Sequence, residues 1–401
     1  MAASDLIGVD KDAVTLTLAG ETPQVFKSYD IKCSLFEQPS TFALRLGWGE
    51  TARELMAKYP PFTPFNLHIG NQHLMTGCID DPVVPGGKAT ELELNGRDNM
   101  AALANAYFES EESFRNSTFA ELTRKAIDRV GLTGAELTFD NAANRAAVVG
   151  SRIVVRKAPR PPSSYEWETE EATATTQRTV YNTIKAQLGE TELGFLRRQY
   201  KRAGLFLWAT GDGNFVLSEP NAHQEPIYQL VRQRGLIAGF TNILTARFEN
   251  RTKLRHSRAV VYGRGGGGKH GRPKVRGEYI DQEMWTWLQA QGRKHKPVVF
   301  HDNDIKSNAE AEFVARRKVA EERRRNRILE YTVSGHTAPI INQEGNRAVW
   351  YFDTVVDLQD DELGLFGPHY VVSVQYKRPP TTTIIRLVRP EDLVFAEEME
   401  P

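Results

Sequence analysis

Two stretches of this chain, almost three hundred residues apart, have the same grammar. Gly77-Cys-Ile-Asp-Asp81 leads through Pro85-Gly-Gly87 into the alternating run Leu92-Glu-Leu-Asn-Gly-Arg-Asp98. Val372-Ser-Val-Gln-Tyr-Lys377 leads through Pro379-Pro-Thr381 into Ile384-Ile-Arg-Leu-Val-Arg389 and then Pro390-Glu-Asp392. Alternation of apolar and polar residues turns one face of a strand inward, and Pro and Gly end it by fixing or freeing φ. Each stretch therefore reads as strand, turn and strand, closing on a polar Arg/Asp segment. A β-module present twice, with no catalytic cluster in either copy, points to an assembly part rather than an enzyme.

The neighbouring sequence extends both modules. Val14, Leu16 and Leu18 alternate with threonines, Phe42, Leu44 and Leu46 flank Ala43 and Arg45, and Phe65, Leu67 and Ile69 run into a Gly70-Asn71 turn. Short strands separated by turn signals predict a barrel or sandwich. After residue 100 the period changes. Thr118-Phe-Ala-Glu121 is a capping box ahead of Leu122, Ala126, Ile127 and Val130 on one helical face, with Gly131 closing the helix. A second helix is expected over 191–203, ended by Gly204 and followed by a hairpin, Leu205–Trp208 and Phe215–Leu217, around Gly211-Asp-Gly213.

From about 240 strands resume, with Ala259–Tyr262 among them. A long helix is expected near 308–325 behind the capping box Ser307-Asn-Ala-Glu310, with Ala309, Phe313 and Ala320 facing the core. Strands follow at 328–334, 348–357, 370–377 and 383–388. The expected division is a first β-barrel domain over 1–100, an α+β insert over 101–239, a second β-barrel domain over 240–393, and an acidic, solvated tail over 394–401.

A chain of 401 residues is long enough to bury roughly three-quarters of its unfolded surface, so stability needs neither disulfides nor metal. Lys+Arg and Asp+Glu both total 51, so no global field draws the chain toward nucleic acid or anionic membrane. The two cysteines, Cys33 and Cys78, fall in strand-like runs and read as buried free thiols. No apolar run approaches the ~20 residues of a membrane span. Met1–Asp10 lacks the basic stretch and apolar region of a signal peptide, so a protein of the cytoplasm, or one assembled there, is expected.

The motifs that resemble chemistry fail on their details. Gly263-Arg-Gly-Gly-Gly-Gly-Lys269 has phosphate-loop spacing, but His270 stands where a magnesium-holding hydroxyl belongs and Pro273 where the helix should begin. A flexible loop is the better reading. Residues 247–276 hold ten Lys/Arg against Glu249 alone, which reads as a charged interface or loop facing an acidic partner. The rival reading is a nucleic-acid grip through Arg251, Lys253, Arg255 and Arg258. Arg316 to Arg327 carries seven cations against Glu321 and Glu322 and reads as a solvated or partner-facing helix. His301-Asp-Asn-Asp304 lacks a second ligand group for a metal. Glu111-Glu112 and Asp360-Asp361 read as polar-loop neighbours whose side chains diverge, poor acid/base partners. No catalytic, cofactor-binding or metal-binding residue is assigned, and no cofactor is expected.

Three segments carry a family resemblance: the block ending Gly77-Cys-Ile-Asp80 and Leu92–Asp98, the helix and hairpin from Glu190 to Pro220, and the C-terminal block from Val371 to Asp392. Together they resemble the baseplate hub proteins of contractile-tailed phages, the Mu-like hub or late-control family. The Gly265–Gly268 loop, the tract 133–185 and the acidic tail have no counterpart in that pattern. The resemblance implies a β-rich α+β fold with two tail-tube-like barrels and an α+β insert between them. It implies a homotrimer on the tail axis that joins a threefold spike to a sixfold tail tube or tube-initiator protein and lines the central channel. Tape-measure and baseplate wedge proteins would be further neighbours, DNA would only pass through, and no membrane partner is expected. A peptidoglycan hydrolase of the tail, or the hub of a contractile secretion or bacteriocin particle, are the alternatives.

Overall fold

The structure, a computed structural model, describes residues 11–21, 26–47, 57–83, 91–115, 117–139, 183–233, 241–263, 275–302, 305, 307–343 and 345–393. The first β-block holds Val14–Leu18 (β1), Ser28–Ser34 (β2), Thr41–Gly47 (β3), Pro64–Ile69 (β4), Gln72–Val83 (β5) and Glu91–Asp98 (β6). They pair antiparallel in the order β1-β4-β5-β6-β3-β2. Alternation does what the sequence predicts: Val14, Leu16 and Leu18 are buried, as are Phe65, Leu67 and Ile69. Gly70-Asn71 turns β4 into β5, with Ile69 opposite Gln72. Cys33 lies in the core, whereas Cys78, on the outward side of β5, is exposed. The reading of Cys78 as buried is corrected by strand parity, since its neighbours Gly77 and Ile79 take the inward positions.

The insert comprises Met100–Asn105 (α1), Ser113–Arg115 (β7), Phe119–Arg129 (α2), Leu137–Phe139 (β8), Thr183–Lys185 (β9), Glu192–Ala203 (α3), Phe206–Ala209 (β10) and Phe215–Ser218 (β11). The capping box of α2 forms in both directions, Thr118 Oγ1 accepting from Glu121 N and Glu121 Oε2 from Thr118 N. Gly204 ends α3 at φ 71°, the left-handed conformation that costs glycine little. The hairpin β10–β11 forms as expected, and β8 adds to it in parallel. Phe114, Ile127, Phe195, Leu196 and Phe215 belong to the insert's own core. The tract 140–182 lies outside the described residues.

The second β-block uses Tyr228–Arg232 (β12), Ile243–Asn250 (β13), Arg327–Ser334 (β17), Thr354–Asp360 (β20), Leu365–Arg378 (β21) and Thr382–Val388 (β22). Its order is β12-β20-β21-β22-β17-β13. The side chain of Asn242 brings the two outer strands together: Oδ1 accepts from Val231 N at 2.9 Å and Nδ2 donates to the Gln229 carbonyl at 2.7 Å. Six strands thus curl round until a side chain spans the last seam. Thr337–Pro339 (β18) and Arg347–Val349 (β19) form a separate short hairpin.

Between β13 and β17 the block is interrupted. Arg258–Tyr262 (β14), Arg276–Ile280 (β15) and Pro297–His301 (β16) form a three-stranded sheet of their own, with Gln282–Ala290 (α4) and Asn308–Asn326 (α5). The single stretch 240–393 does not anticipate this unit, because the strand at 259–262 reads locally like any other. Helix α5 carries the expected capping box, but its buried face is Ala311, Ala315, Val319 and Ala320. Ala309 is exposed and Phe313 half-buried, which corrects the predicted face. Small residues are required there because β15 runs hard against the helix: a Cβ on Gly277 would lie 2.1 Å from Glu312 N.

The two β-blocks form one sheet. The late half of β21 pairs antiparallel with β2, from Tyr29 opposite Arg378 to Ser34 opposite Ser373, and its early half pairs with β20. The change of partner falls at a bulge between Val371 and Ser373, where bending is easiest. Side chains of both blocks, from Leu16 and Phe65 to Tyr331 and Val374, share one hydrophobic core.

Candidate functional site

Polar contacts, several of them buried, add to the ladder and the apolar core that join the halves. His336 is fully buried at the seam. Its ring Nδ1 meets Thr383 Oγ1 at 2.9 Å and its Nε2 meets Tyr29 OH at 2.7 Å. The Thr383 hydroxyl gives its hydrogen to the Gly335 carbonyl at 2.6 Å. Nδ1 therefore donates to Thr383. Asp12 Oδ1 accepts from the backbone of His336 and Thr337 at 2.6 and 2.9 Å. Val349 N donates to Gln72 Oε1 at 2.7 Å. Side chains reaching backbone carbonyls also dock the insert, with Thr76 Oγ1 donating to Gly211 and Asn99 Nδ2 to Gly213.

A second polar cluster fixes the interposed unit. Arg255, with no exposed surface, donates to Asp281 Oδ2 at 2.8 Å and Glu283 Oε2 at 2.7 Å. Asp281 also caps α4, accepting from Met284 N, and pairs with Arg323 at 2.8 Å. Arg327 bonds Glu283 and, at 3.3 Å, Asp392. Burial disfavours the charge on Asp281, but the hydrogen bonds from Arg323 and Arg255 overcome it and hold the carboxyl below the ordinary range. Burial pushes Asp392 the other way, upward. Three guanidiniums meet three carboxylates, so the cluster is neutral in sum and built to hold position.

The segments that the sequence marked as charged faces resolve into these contacts. Arg327 is buried and Arg323 largely so, both in ion pairs, which corrects the solvated reading at the end of the 316–327 segment; Arg325 alone of the three is well exposed. In the basic stretch, Arg247 and Arg251 pair with Glu249, Arg258 and Arg276 with Glu278, and Arg255 is interior. The acidic partner of those arginines lies in the same chain, and carboxylates already occupy Arg251, Arg255 and Arg258. The loop from 264 to 274 lies outside the described residues.

Asp360 also departs from its polar-loop reading. It is fully buried at the end of β20, accepting from Tyr331 OH at 2.8 Å and from the backbone of Glu362 and Leu363. Glu112 is an ion-pair partner of Arg129. His301 stacks beside Tyr262; positions 303 and 304 are outside the described residues. Among the described residues no group of three or more His, Cys, Asp or Glu side chains is placed to hold a metal ion. None of their helices is long and apolar enough to cross a membrane.

The polar segments that close the two sequence modules have a shared role. Asp98 is buried and accepts from Ser40 N at 2.9 Å and Met100 N at 3.0 Å. Asp392 anchors Arg327. The sequence marks both segments but gives neither carboxylate a partner. His336, Tyr29 and Thr383 are silent in the sequence because a lone histidine carries no local signal; Asp281 has one, its place before a helix.

Among the described residues β1 pairs only with β4, and β13 ladders only with β17. On β13, Leu244 and Phe248 are 57% and 44% exposed. An outer strand such as β1 and exposed apolar side chains such as those on β13 are features of surfaces that associate.

No protein-family model matches the chain, and no curated protein matches it in sequence. Solved structures do match its fold. A 43 kDa tail protein of prophage MuSo2 from Shewanella oneidensis is 17% identical, with 95% of this chain and 99% of that one covered at a TM-score of 0.71. A tail protein from Neisseria meningitidis MC58 is 19% identical, with 95% and 98% covered at 0.70. An E. coli component of the type VI secretion system, described as structurally similar to the bacteriophage T4 tail proteins gp27 and gp5, is 10% identical. It aligns over 96% of this chain and 80% of its own at 0.50. The chain has the β-rich α+β fold of these tail proteins.

Proposed function

We propose that this chain is the structural hub of a contractile-tail baseplate. The observation that carries the reading is the fusion of two six-stranded β-blocks into one sheet through β2 and β21. Three copies of a chain with two such blocks present six similar blocks around one axis. That matches a threefold spike below to a sixfold tube above, and closed rings follow from repeating one heterologous contact. Domains over 1–100, 101–239 and 240–393 belong to the same proposal. So do the spike, the tail tube or its initiator, and the tape-measure and wedge proteins as neighbours, in a virion baseplate assembled in the host cytoplasm.

The mechanism is geometric: no bond is made or broken, DNA only passes the channel, and no catalytic, cofactor or metal residue is assigned. Full-length resemblance to two tail proteins, one of them from a prophage, supports a tail part. Resemblance to a type VI secretion component supports the hub of a contractile secretion particle as the second reading. Mass measurement decides the oligomer: a species of three times 45.2 kDa at high concentration, or on addition of a cognate spike, is expected. Monomer under both conditions overturns the hub. Clearing of cell-wall substrate by the pure protein would instead establish the hydrolase alternative.

A further inference from the structure

Where the first block, the insert and the second block meet, a cleft of about 670 Å3 opens, within the size range of small-molecule sites. Six arginines line it: Arg197 from α3, Arg251, then Arg317, Arg324 and Arg325 from α5, and Arg386 from β22. Two carboxylates share the walls, and both are engaged, Glu37 with Lys32 and Glu321 with Arg325. Three of the arginines keep donors to spare. Arg386 reaches Glu37 only at 3.9 Å, and its Nε–H is buried with no hydrogen-bond partner among the described residues. The guanidinium of Arg324 stands 3.9 Å from the ring centre of Phe36 and pairs with no carboxylate among the described residues. Arg197 donates to the Gln38 carbonyl at 3.1 Å, two positions along the chain from Phe36, and likewise has no carboxylate partner among them. Arg197 is exposed and Arg324 half-buried, so a ligand can reach both from solvent. Burial lowers the Arg324 guanidinium to about 10; the nearby charges of Arg325 and Arg386 push the same way, and Glu321 and Asp392 act against them. An anion among these cations would relieve their repulsion and take the spare donors.

We propose that this cleft binds a small phosphate-bearing molecule, its phosphate held by Arg324 and Arg386 with Arg197 beside them. Its occupancy is independent of the hub reading. Arg is suited to the task because its planar fork takes an oxyanion in two parallel hydrogen bonds while its face lies on an aromatic ring. A carboxylate has two oxygens, and one such fork fills them. A phosphate group carries about 1.5 to 2 negative charges and three acceptor oxygens, enough for two forks at once. A nucleic-acid strand is disfavoured by shape: its evenly spaced phosphates need a continuous basic track, whereas these cations surround one volume whose walls include Leu35, Leu205 and Val372. Those apolar walls suit whatever the phosphate is attached to.

The test is calorimetric titration of the full chain with inorganic pyrophosphate at constant ionic strength. Saturable binding of one pyrophosphate per chain is expected, weakened at least tenfold by Arg324→Gln or separately by Arg386→Gln. Lys294→Gln removes an exposed cation that does not line the cleft and should leave the affinity unchanged. A second measurement needs no variant, so it stands even where an arginine substitution prevents folding. The parent chain is treated with phenylglyoxal, which modifies arginines, and digested for mass spectrometry. Pyrophosphate should protect Arg324 and Arg386 but not Arg45, whose exposed side chain lies outside the cleft. The proposal is overturned by absence of saturable binding, by an equal loss in Lys294→Gln, or by modification of Arg324 and Arg386 at the same rate with and without pyrophosphate. Tighter binding of tetraglutamate or of an eight-nucleotide oligothymidine would overturn it as well.

Discussion

Tyr29 and His336, 307 positions apart in sequence, meet through a 2.7 Å hydrogen bond between the phenol and Nε2 of a buried imidazole. The bond ties the opening strands of the chain to the β17–β18 turn. Tyr29→Phe keeps the ring and removes the hydroxyl that meets the buried nitrogen. A loss of about 1–3 kcal/mol in urea unfolding is expected, with the native far-UV signal unchanged. A variant as stable as the parent would show that the bond does not hold the seam.

Arg255 should behave as an interior residue rather than a nucleic-acid contact. Arg255→Met strands Asp281 and Glu283 partly unpaired, and deleting one partner of a buried ion pair costs about 3–5 kcal/mol. Lys253→Ala, two positions away on an exposed turn, is expected to change stability by less than about 0.5 kcal/mol. Denaturant midpoints measured side by side check the contrast.

Asp98 gives the fold a dependence on pH with a definite sign. Burial raises its carboxyl to about 6, above the ordinary ~3.9 of an unfolded chain. A folded value above the unfolded one means that the stability it contributes is complete below about pH 4 and is lost as pH rises through 6. Two units correspond to roughly 3 kcal/mol at most. The stability of the parent minus that of Asp98→Asn should therefore fall between pH 4 and pH 7; a flat difference would rule out a shifted Asp98.

Gly277→Ala tests the packing of β15 on α5. The added methyl would fall 2.1 Å from Glu312 N and 2.2 Å from Ala311 C, both backbone atoms that cannot swing aside. Overpacking of this kind costs about 1–3 kcal/mol, read as a lower unfolding midpoint. Gly292→Ala, with nothing within 4 Å of the new Cβ but a φ of 60°, isolates the backbone component.

The two thiols should differ in reactivity. Cys78 is exposed, while Cys33 is buried and its thiol is pushed far up by desolvation and the nearby Asp98. A thiol reagent is expected to modify one cysteine per native chain and two after unfolding. Two modified residues in the native protein would place Cys33 outside the core.

The elements were largely legible in the sequence because their causes are local. Alternation at Val14–Leu18 and Phe65–Ile69, the capping boxes at Thr118 and Ser307, and the glycine end of α3 at Gly204 each depend on residues within a few positions. The two strand-turn-strand modules became the hairpins β5–β6 and β21–β22, each with a bulge. What only the tertiary structure decided was the set of partners. A run of arginines looks the same whether it faces water or carboxylates from another element, so the interior positions of Arg255, Arg323 and Arg327 had no local mark. The strand at Arg258–Tyr262 could not announce that it would leave the main sheet for its own, because backbone hydrogen bonds carry no sequence label. The joining of two β-blocks through β2 and β21, and the cationic cleft that forms beside that seam, arise from register and packing between residues hundreds of positions apart.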